Sequence, residues 1–320
     1  MKVQIFIPTF NRAAKLERVI RSVLNQTYPN VEVVVLDNHS TDDTPKLVAS
    51  LMASDSRVKH VRHDKNLGMI ANFNAVQGLV DSEYFSMFTD DDEYEPWFVE
   101  TALKCFEKNK EIQFVACNSP TKLHGEIIKS QLDQWEEGLY TANTAILKCL
   151  SGQYPLVTTC LFKSDIREDF FFHKEMGNVG DGLLMTCLFA KYDAFVTKTI
   201  TVYWNNDGEN ASSVQKYDPV LHINTVINES LLYSQFCKNN NIAMRGFLKI
   251  GKNNLIAVLV AADRSNFKHI YKNSMLKEHY GSLSVAMLWL MHRVRFLRIC
   301  LKIKSLFLSF RAKSIRGNLI

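Results

Sequence analysis

The sequence predicts an α/β fold in which an open, mostly parallel sheet with flanking helices is followed by a C-terminal helical region. Short apolar runs alternate with segments of helical spacing as far as residue 117, and strands that alternate with helices are joined by right-handed crossovers that make them parallel. The run VEVVVLD at residues 31–37 is β-branched and continuous, as buried parallel strands are. Long helical stretches replace the alternation after about residue 210. We therefore expect one domain at residues 1–210 and a helical region at residues 211–320.

Each element is predicted from its local pattern. Residues 3–8 are a short apolar run that suits a buried strand, and residues 13–26 place their apolar side chains on one helical face. A proline at the start of residues 96–109 fits the first turn of a helix. Residues 170–178 are expected to form a loop. The other predicted strands are residues 31–37, 58–62, 84–89, 112–117 and 196–204. The other predicted helices are residues 42–54, 69–80, 181–191, 218–237, 243–262 and the stretch from residue 282 onward.

Composition indicates a folded protein without a disulfide framework. Hydrophobic residues make up 47% of the 320 residues and charged residues 22%, which is ordinary for a globular protein. The seven cysteines are widely spread and include no C-x-x-C pair, so neither a zinc site nor a set of disulfides is indicated. The N-terminus lacks a signal-peptide pattern, and no apolar run reaches the roughly 18–20 residues of a transmembrane helix. These features predict a protein of the reducing cytoplasm.

The positive net charge of +5 belongs to the end of the chain. Residues 293–320 contain eight Lys or Arg and no Asp or Glu, so the remainder carries a net charge of −3 (5 minus 8). The basic charge is therefore no argument for nucleic-acid binding by the whole protein, and no nucleic-acid partner is expected.

The basic tail also has an amphipathic helical pattern. At 100° per residue, Phe296, Ile303 and Phe310 fall in an uncharged arc about 120° wide with basic residues on both sides. This pattern is typical of a helix that lies in a membrane surface, and the absence of acidic residues favours an anionic surface. We expect a peripheral protein on the inner face of the cell membrane. The alternative is a helix that packs its apolar arc on the catalytic domain.

Three polar clusters follow predicted strands, at residues 8–12, 37–44 and 89–93. Taken singly, each could be a turn or a helix cap. Together they lie where an open α/β sheet binds ligands, beyond the carboxyl ends of its strands. The consecutive carboxylates of residues 90–92 repel one another, so that concentrating them costs stability unless a cation binds. Oxygen ligands suit Mg²⁺ or Mn²⁺, which would neutralise a diphosphate leaving group.

The segments IPTFNR, LDNHSTDDT, NLG and FTDDDEYEP together resemble family 2 inverting glycosyltransferases of the GT-A fold, of the bacterial polysaccharide and O-antigen type. The resemblance covers residues 2–118 specifically and continues more weakly to about residue 210. It implies that a sugar passes from a nucleotide-diphosphate sugar to a hydroxyl of a glycan acceptor, with inversion and with assistance from Mn²⁺ or Mg²⁺. Relatives in bacterial polysaccharide assembly act on lipid-linked acceptors, so a polyprenyl-linked glycan is among the expected acceptors.

The resemblance also implies roles for individual residues. In this family the segment after the first strand and the Asp after the second hold the nucleotide base, and a DxD-like element contacts the ribose and the metal-bound diphosphate. The donor-nucleotide residues implied here are Pro8, Thr9, Asn11, Arg12, Asp37 and Asp90. The metal residues implied are Asp91 and Asp92. From chemistry alone, Asp37 suits the ring N–H of a nucleobase, and Asn11 and Arg12 suit ribose or phosphate.

The catalytic base implied by the resemblance is Asp181, which opens a predicted helix. It would accept the proton of the acceptor hydroxyl during a single in-line displacement, and its two flanking glycines are expected to leave room for the acceptor. The alternative is that Asp181 only caps its helix. In that case Glu175, Asp165 and Asp169 are the other candidate bases.

The sequence departs from the family pattern in two places. Many relatives have an Arg after the NLG-like turn, whereas residues 69–74 contain none, and Asn72 or Asn74 is the expected replacement near the donor. Relatives also often have a metal-binding His after the strand that ends here near Trp204. Asn206 or Asp207 is the candidate substitute, unless this loop supplies no metal ligand at all.

Two other function classes compete with sugar transfer. A sugar nucleotidyltransferase also uses an α/β sheet with metal-binding aspartates, but it usually has a Gly-rich loop directly after the first strand, where this chain has PTFN. A non-catalytic nucleotide-binding protein of the same fold would be expected to have lost the acidic cluster, which is intact.

Overall fold

The computed structural model describes residues 1–205, apart from residues 124, 131, 143–144, 146–147, 150–152 and 174–179. The predicted helical region at residues 211–320, with its amphipathic tail, lies outside the described residues. So do Glu175, Asn206 and Asp207. The division of the chain at about residue 210 stays a prediction.

Strands and helices alternate through the first half of the chain, as the pattern predicts. The strands are β1 (Val3–Thr9), β2 (Val31–Asp37), β3 (Val58–Arg62), β4 (Tyr84–Met87), β5 (Glu93–Tyr94), β6 (Phe114–Asn118), β7 (Pro120–Leu123), β8 (Glu126–Ser130), β9 (Gly138–Tyr140), β10 (Cys160–Lys163), β11 (Ala194–Ile200) and β12 (Val202–Asn205). The α-helices are α1 (Ala13–Leu24), α2 (Thr44–Ser54), α3 (Met69–Asn74), α4 (Val76–Leu79), α5 (Phe98–Lys108) and α6 (Asp181–Lys191).

The main sheet has the strand order β3-β2-β1-β4-β10-β6-β11-β9. Strand β1 pairs in parallel with β2 and β4, β2 pairs in parallel with β3, and β6 with β11. The predicted α/β fold with a mostly parallel sheet is therefore confirmed. Strand β10 is antiparallel to both of its neighbours, and β9 is antiparallel to β11; both follow the alternating part of the sequence, which ends at residue 117. Strand β10 follows a turn of 3₁₀-helix at Val157–Thr159.

Helices cover both faces of the main sheet, because successive side chains of a strand point to opposite faces. Ile5 packs in the core formed with α1, α2 and α5, whereas Phe6 packs in the core formed with α4 and α6. Every residue of β1 is buried, which explains its continuous apolar run. With both faces covered, the polar residues that follow the strands lie at the carboxyl edge of the sheet.

A second, smaller sheet has the order β5-β12-β7-β8 and is not predicted by the sequence pattern. Its strands are two to five residues long, too short for an alternation to be recognised. The predicted strand at residues 196–204 divides at Thr201 into β11 and β12. The N–H of Thr201 donates to the carbonyl of Asn118 (3.2 Å) and its carbonyl accepts the N–H of Glu95 (2.8 Å), so the chain leaves the main sheet here for the smaller one.

One predicted helix is interrupted. Residues 69–80 form α3 and α4, which meet at Ala75, whose N–H is shared between the carbonyls of Ala71 and Asn72 (3.1 and 3.3 Å). Such sharing is common where helices end. The other predicted helices and strands as far as residue 191 match the structure to within two residues. Among the described residues, no helix is both long and apolar enough to cross a membrane.

Candidate functional site

A cleft of about 640 Å³ opens at the carboxyl edge of the main sheet. Residues at the ends of β1 and β4, around the start of α3 and at the start of α6 line it, which is where open α/β sheets bind ligands. The predicted site residues that line the cleft are Pro8, Thr9, Arg12, Asn72, Asp90, Asp91, Asp92 and Asp181. The fold thus brings the acidic cluster, defined as Asp90, Asp91 and Asp92, into one cavity with the predicted base.

The three carboxylates of the acidic cluster differ in their surroundings. Asp90 and Asp91 each keep 12% of their side-chain surface exposed, and Asp90 accepts a hydrogen bond from the Thr9 hydroxyl (2.8 Å). Asp92 is 1% exposed. Asp90 and Asp91 are therefore more exposed in the cleft than Asp92, which also lines it.

Asp92 links the acidic cluster to the smaller sheet. One of its oxygens accepts a hydrogen bond from the Thr89 hydroxyl (2.5 Å), and the other accepts the backbone N–H of Asn205 (3.1 Å). The side-chain amide of Asn205 also donates to the carbonyl oxygen of Asp91 (3.1 Å). These bonds give Asp92 a structural part in holding the end of β12, and its role as a metal ligand stays a prediction.

Burial raises the pKa values of two carboxyls in the cluster. The pKa of Asp90 rises to about 6 because it is buried, although the charge of Arg12 opposes the rise. The pKa of Asp92 rises to about 7 because of burial and the charge of Asp91, against the hydrogen bond from Thr89. Three crowded carboxylates with little solvent are the arrangement that a cation stabilises.

Arg12 supplies positive charge to the cluster from the loop after β1. Its Nε lies 3.6 Å from Asp90 Oδ1, and its Nη1 lies 3.5 Å from Asp91 Oδ2. These separations are long for hydrogen bonds but within the range of an ion pair. A second arginine, Arg18, donates to the backbone carbonyl of Asp91 (2.8 Å). Arg12 thus lines the cleft beside the acidic cluster. Its guanidinium suits the phosphate oxygens of a ligand that binds there.

The donor atoms of the acidic cluster fit a divalent ion. Carboxylate oxygens are the ligands that Mg²⁺ and Mn²⁺ prefer. In the part of the chain that the structure describes, no group of three His, Cys, Asp or Glu side chains forms a complete metal site. An ion held by Asp91 would therefore take its other ligands from a diphosphate and from water, as Mg²⁺ commonly does.

Asp37 and Asn11 do not line the cleft. Asp37 is fully buried at the end of β2, where its Oδ1 accepts the N–H of Ser40 (2.7 Å). Its Oδ2 accepts a hydrogen bond from Arg62 Nε (3.1 Å) and lies 3.3 Å from His60 Nε2. Both carboxylate oxygens of Asp37 therefore already have protein partners. A nucleobase that donates a hydrogen bond to Asp37 would share an oxygen with one of them. The predicted nucleobase contact stays a prediction.

Asn11 joins the loops that follow β1 and β2. Its backbone N–H donates to the Ser40 hydroxyl (2.9 Å), and its side-chain oxygen accepts the N–H of Thr41 (2.8 Å). Its φ of 54° is left-handed, a conformation that Asn adopts more readily than most residues. Asn11 therefore fixes two of the polar clusters relative to each other, and its contact with ribose or phosphate stays a prediction.

The two asparagines that are the expected replacements for a missing arginine are both bonded to protein. Asn72 lines the cleft, but its Nδ2 donates to the carbonyl of Leu36 (3.1 Å) and its Oδ1 lies 2.9 Å from His63 Nε2. Asn74 bonds to the backbone of Phe172, accepting its N–H (2.8 Å) and donating to its carbonyl (2.9 Å). A contact between either amide and the donor stays a prediction.

Asp181 is the first residue of α6 and lines the cleft. Burial raises the pKa of its carboxyl to about 6, against the lowering effect of a hydrogen bond with the backbone of Val157. A base with a pKa close to the working pH combines a large deprotonated fraction with useful basicity. The position and pKa of Asp181 suit a general base, and its role as the base stays a prediction.

The other candidate bases are placed differently. Asp165 is exposed on the surface. Asp169 pairs with Lys191 Nζ (2.7 Å) and accepts a hydrogen bond from the Tyr192 hydroxyl. Neither carboxylate lines the cleft, and Glu175 lies outside the described residues.

The glycine before Asp181 does not leave the open space that the sequence predicts. Gly180 is buried, and a Cβ atom at this position would lie 2.9 Å from Cδ1 of Phe172. The expectation of room for an acceptor is therefore wrong on the Gly180 side, because a phenylalanine ring fills that space.

Several residues that line the cleft carry no motif in the sequence. Lys129 comes from β8 and Trp204 from β12, Tyr154 comes from the irregular segment before β10, and Thr158 comes from the 3₁₀-turn at Val157–Thr159. Aromatic and apolar side chains with a few polar groups are usual in small-molecule sites. Sequence reasoning missed these residues because their elements are too short to give a periodic pattern.

Comparison with known families and curated proteins gives consistent matches. A profile of the family described as "Glycosyl transferase family 2" matches residues 4–171, just over half of the chain. A protein described as an uncharacterized glycosyltransferase from Haemophilus influenzae is 25% identical over 246 residues, which are 70% of this chain and 75% of the relative. The GalNAc(5)-diNAcBac-PP-undecaprenol beta-1,3-glucosyltransferase of Campylobacter jejuni is 27% identical over 207 residues, which are 63% of this chain and 64% of that enzyme.

Solved structures share the fold. S. aureus TarS in complex with UDP-GlcNAc superposes with a TM-score of 0.62 at 17% identity, covering 89% of this chain and 79% of that one. A mannosyltransferase from Pyrobaculum calidifontis in complex with GDP-Man and Mn²⁺ gives a TM-score of 0.53 at 15% identity, covering 92% and 86%. At these identities the likeness concerns the fold alone.

Proposed function

The chain belongs to glycosyl transferase family 2 and is a glycosyltransferase, and on this premise we propose that it transfers a sugar from a nucleotide-diphosphate sugar to a hydroxyl of a glycan, with inversion and with the help of a divalent ion. The observation that carries this proposal is that the acidic cluster and Asp181 line one cleft. A single displacement with one base and no covalent intermediate inverts the anomeric carbon. The family favours this reaction over nucleotidyl transfer.

The acidic cluster and the loops after β1 and β2 are the proposed donor site. The UDP-GlcNAc bound to TarS and the GDP-Man and Mn²⁺ bound to the mannosyltransferase support a donor and an ion of these classes. A divalent ion at this site would neutralise the diphosphate leaving group. The proposed metal residues are Asp91 and Asp92. The proposed donor-nucleotide residues are Pro8, Thr9, Asn11, Arg12, Asp37, Asn72 and Asp90.

The proposed acceptor is a glycan carried on a polyprenyl lipid. Its hydroxyl loses a proton to Asp181 as its oxygen attacks the anomeric carbon. The C. jejuni relative is named for an undecaprenol-linked glycan, and an Escherichia coli relative is named as a putative colanic acid biosynthesis glycosyl transferase. These names support a role in bacterial polysaccharide assembly.

The donor class can be tested with nucleotide sugars and Mn²⁺. UDP-, GDP- and dTDP-sugars are each added to the protein with Mn²⁺ or with EDTA, and the melting temperature is measured. We expect one nucleotide class to raise the melting temperature only when Mn²⁺ is present. A set of donors that all leave the melting temperature unchanged would contradict the proposed donor site.

The raised pKa of Asp181 predicts a pH dependence of turnover. A protonated carboxyl cannot accept the hydroxyl proton, so kcat should be constant well above pH 6 and should fall as the pH drops through about 6. Below that value the fall should approach about tenfold for each pH unit, as for a single protonation. The measurement is a pH profile of kcat between about pH 5 and pH 8.

The pH profile needs a control, because Asp90 and Asp92 also have raised pKa values and their protonation could lower turnover in acid as well. The dissociation constant of the donor and Mn²⁺ is therefore measured across the same pH range, and kcat is measured with both saturating. If kcat is flat under saturation while binding weakens in acid, the acidic limb belongs to the cluster and not to Asp181.

The amphipathic tail is proposed to dock the enzyme on the anionic inner face of the cell membrane. This rests on the sequence pattern, since the tail lies outside the described residues. Each Lys or Arg near such a surface contributes about 1 kcal/mol. Changing Arg295, Arg298 and Lys302 to Glu should release the protein from vesicles with anionic lipid, and replacing Ile299, Ile303 and Phe310 with Ser should also release it. Sedimentation with anionic and neutral vesicles measures this binding.

A matched control reverses three exposed lysines of the catalytic domain, Lys46, Lys65 and Lys104, to Glu. This control has the same net charge as the tail variant and should still sediment with anionic vesicles. If the tail packs on the enzyme instead, the Ser variant should lose thermal stability and the charge-reversed tail should bind as the wild type does.

A further inference from the structure

We propose that Asn74, Phe172 and Gly180 form a brace that sets the position of the Asp181 carboxyl relative to the donor side of the cleft. The three residues belong to different parts of the chain, and each contacts the next. The proposal rests on the proposed function, because it takes Asp181 as the base. It assigns positioning roles to three residues that do not touch the reacting atoms.

The first link joins α3 to the segment that precedes α6. Asn74 is the last residue of α3, and its amide both accepts the N–H of Phe172 (2.8 Å) and donates to the Phe172 carbonyl (2.9 Å). Both backbone polar groups of Phe172 are thus held by one side chain, in the manner of a strand partner. Two bonds with short, matched distances fix the backbone at Phe172 more firmly than one bond can.

The second link is the ring of Phe172. It is 1% exposed, and it meets the Phe73 ring edge-on at a centroid distance of 5.3 Å and the Phe170 ring at 5.6 Å. Edge-to-face contacts at these distances are favourable, and close-packed interiors leave such a ring little freedom to turn. The side chain of Phe172 is therefore held in place as well as its backbone.

The third link is the close approach of Gly180 to this ring. A Cβ at Gly180 would lie 2.9 Å from Phe172 Cδ1, which is closer than carbon atoms approach without strain. The backbone of Gly180 has φ −65° and ψ −16°, a helical conformation open to any residue. Glycine is therefore required here for the close contact and not for its conformation.

The start of α6 follows directly from Gly180. The N–H of Leu184 donates to the carbonyl of Gly180 (3.1 Å), so Gly180 closes the first turn of the helix that begins with Asp181. A displacement of Gly180 away from Phe172 moves the base. Phe73 and Met69 of α3 line the cleft beside the donor residues, so the brace sets the distance between donor and base.

The first test compares two Gly→Ala variants. Gly180→Ala should lower kcat by roughly 10–100-fold, since a misplacement of about 1 Å costs on that order, while the donor KM stays within about threefold. The matched control is Gly78→Ala, because a Cβ at Gly78 meets nothing within 4 Å. It should have wild-type kcat. Equal kcat for the two alanine variants would overturn the brace.

The second test is a rescue. Phe172→Val removes the ring atoms that a Cβ at Gly180 would meet, so Gly180→Ala combined with Phe172→Val should have a higher kcat than Gly180→Ala alone, although below that of the wild type because the ring is also a link of the brace. An Ala at Gly180 that only weakens folding would instead be made worse by the second core substitution. No recovery of kcat in a folded double variant would contradict the close contact as the cause of the loss.

The third test uses Asn74 and remains decisive if Gly180→Ala does not fold. Asn74→Ala should lower kcat by about tenfold or more with little change in donor KM, and its melting curve shows whether the protein is folded. A raised donor KM with unchanged kcat would make Asn74 a donor contact and overturn the brace. Unchanged values of both would overturn it too.

Asp181→Asn separates the failure of the brace from the failure of the proposed function. If Asp181→Asn turns over like the wild type, Asp181 is not the base and the proposed mechanism fails, whatever Gly180→Ala does. If Asp181→Asn is impaired and Gly180→Ala behaves like Gly78→Ala, only the brace fails. When both proposals hold, adding Gly180→Ala to Asp181→Asn should lower kcat little further, because the base is already absent.

Discussion

Asp181→Asn is expected to lower kcat by roughly 10²–10⁴-fold, the usual contribution of a general base, while donor binding stays near that of the wild type. An amide has nearly the size of the carboxylate but cannot accept the acceptor proton. The carboxyl of Asp181 is half-buried beside the cleft and its pKa is raised to about 6, so its replacement removes a group that is deprotonated at neutral pH. The measurement pairs turnover with the dissociation constant of the nucleotide sugar.

Asp165→Asn is the matched control for this variant. Asp165 is exposed and does not line the cleft, so the same change of a carboxylate to an amide should leave kcat unaltered. A collapse of donor affinity in Asp181→Asn would make Asp181 a binding or structural residue. Unchanged turnover would move the base to another residue, with Glu175 the next candidate.

Asp91→Ala is expected to abolish transfer, with a loss of roughly 10³-fold or more, because charge stabilisation by a metal ion supplies several kcal/mol. Asp91 is a cluster carboxylate that keeps part of its surface exposed beside Arg12. Removing it should also remove the Mn²⁺-dependent rise in melting temperature that the donor produces. Turnover and melting temperature are measured in the presence of Mn²⁺ and of excess EDTA.

Asp81→Ala is the control for the loss of an aspartate, since Asp81 is an exposed residue that pairs with Lys2 (2.8 Å) outside the cleft. It should keep both activity and the Mn²⁺ response. EDTA should reduce the wild type to the level of Asp91→Ala. Full activity of the wild type in excess EDTA would exclude a metal role for the acidic cluster.

The sequence predicts the main sheet and the place of the site because these follow from long patterns. The strands β1 and β2 are continuous apolar runs, and α1 and α5 have clear helical spacing, so their bounds agree with the structure to within two residues. The convergence of the polar clusters on one cleft follows from the parallel strands, whose carboxyl ends share one edge. Asp181 required the family resemblance, because an acidic residue at the start of a helix is commonly no more than a cap.

The sequence does not predict what the polar side chains bind. The carboxylates of Asp37 and Asp92 and the amides of Asn72 and Asn74 are all bonded to protein. Local patterns do not contain the distant partners in these bonds, such as Arg62 for Asp37, Asn205 for Asp92 and Phe172 for Asn74. The short strands of the smaller sheet and the antiparallel β10 are also not predicted, because their pairing depends on strands elsewhere in the chain. Gly180 shows the limit most clearly, because a glycine beside a candidate base predicts open space, whereas the ring of Phe172 fills it.

Analysis of the reaction products shows whether the cleft transfers a sugar with inversion. The enzyme is incubated with Mn²⁺, the nucleotide sugar that stabilises it and a polyprenyl-linked glycan, and the products are identified by mass spectrometry and NMR. We expect free nucleoside diphosphate and a new glycosidic bond whose anomeric configuration is opposite to that of the donor. Release of pyrophosphate, or a new bond with the configuration of the donor retained, would contradict this expectation.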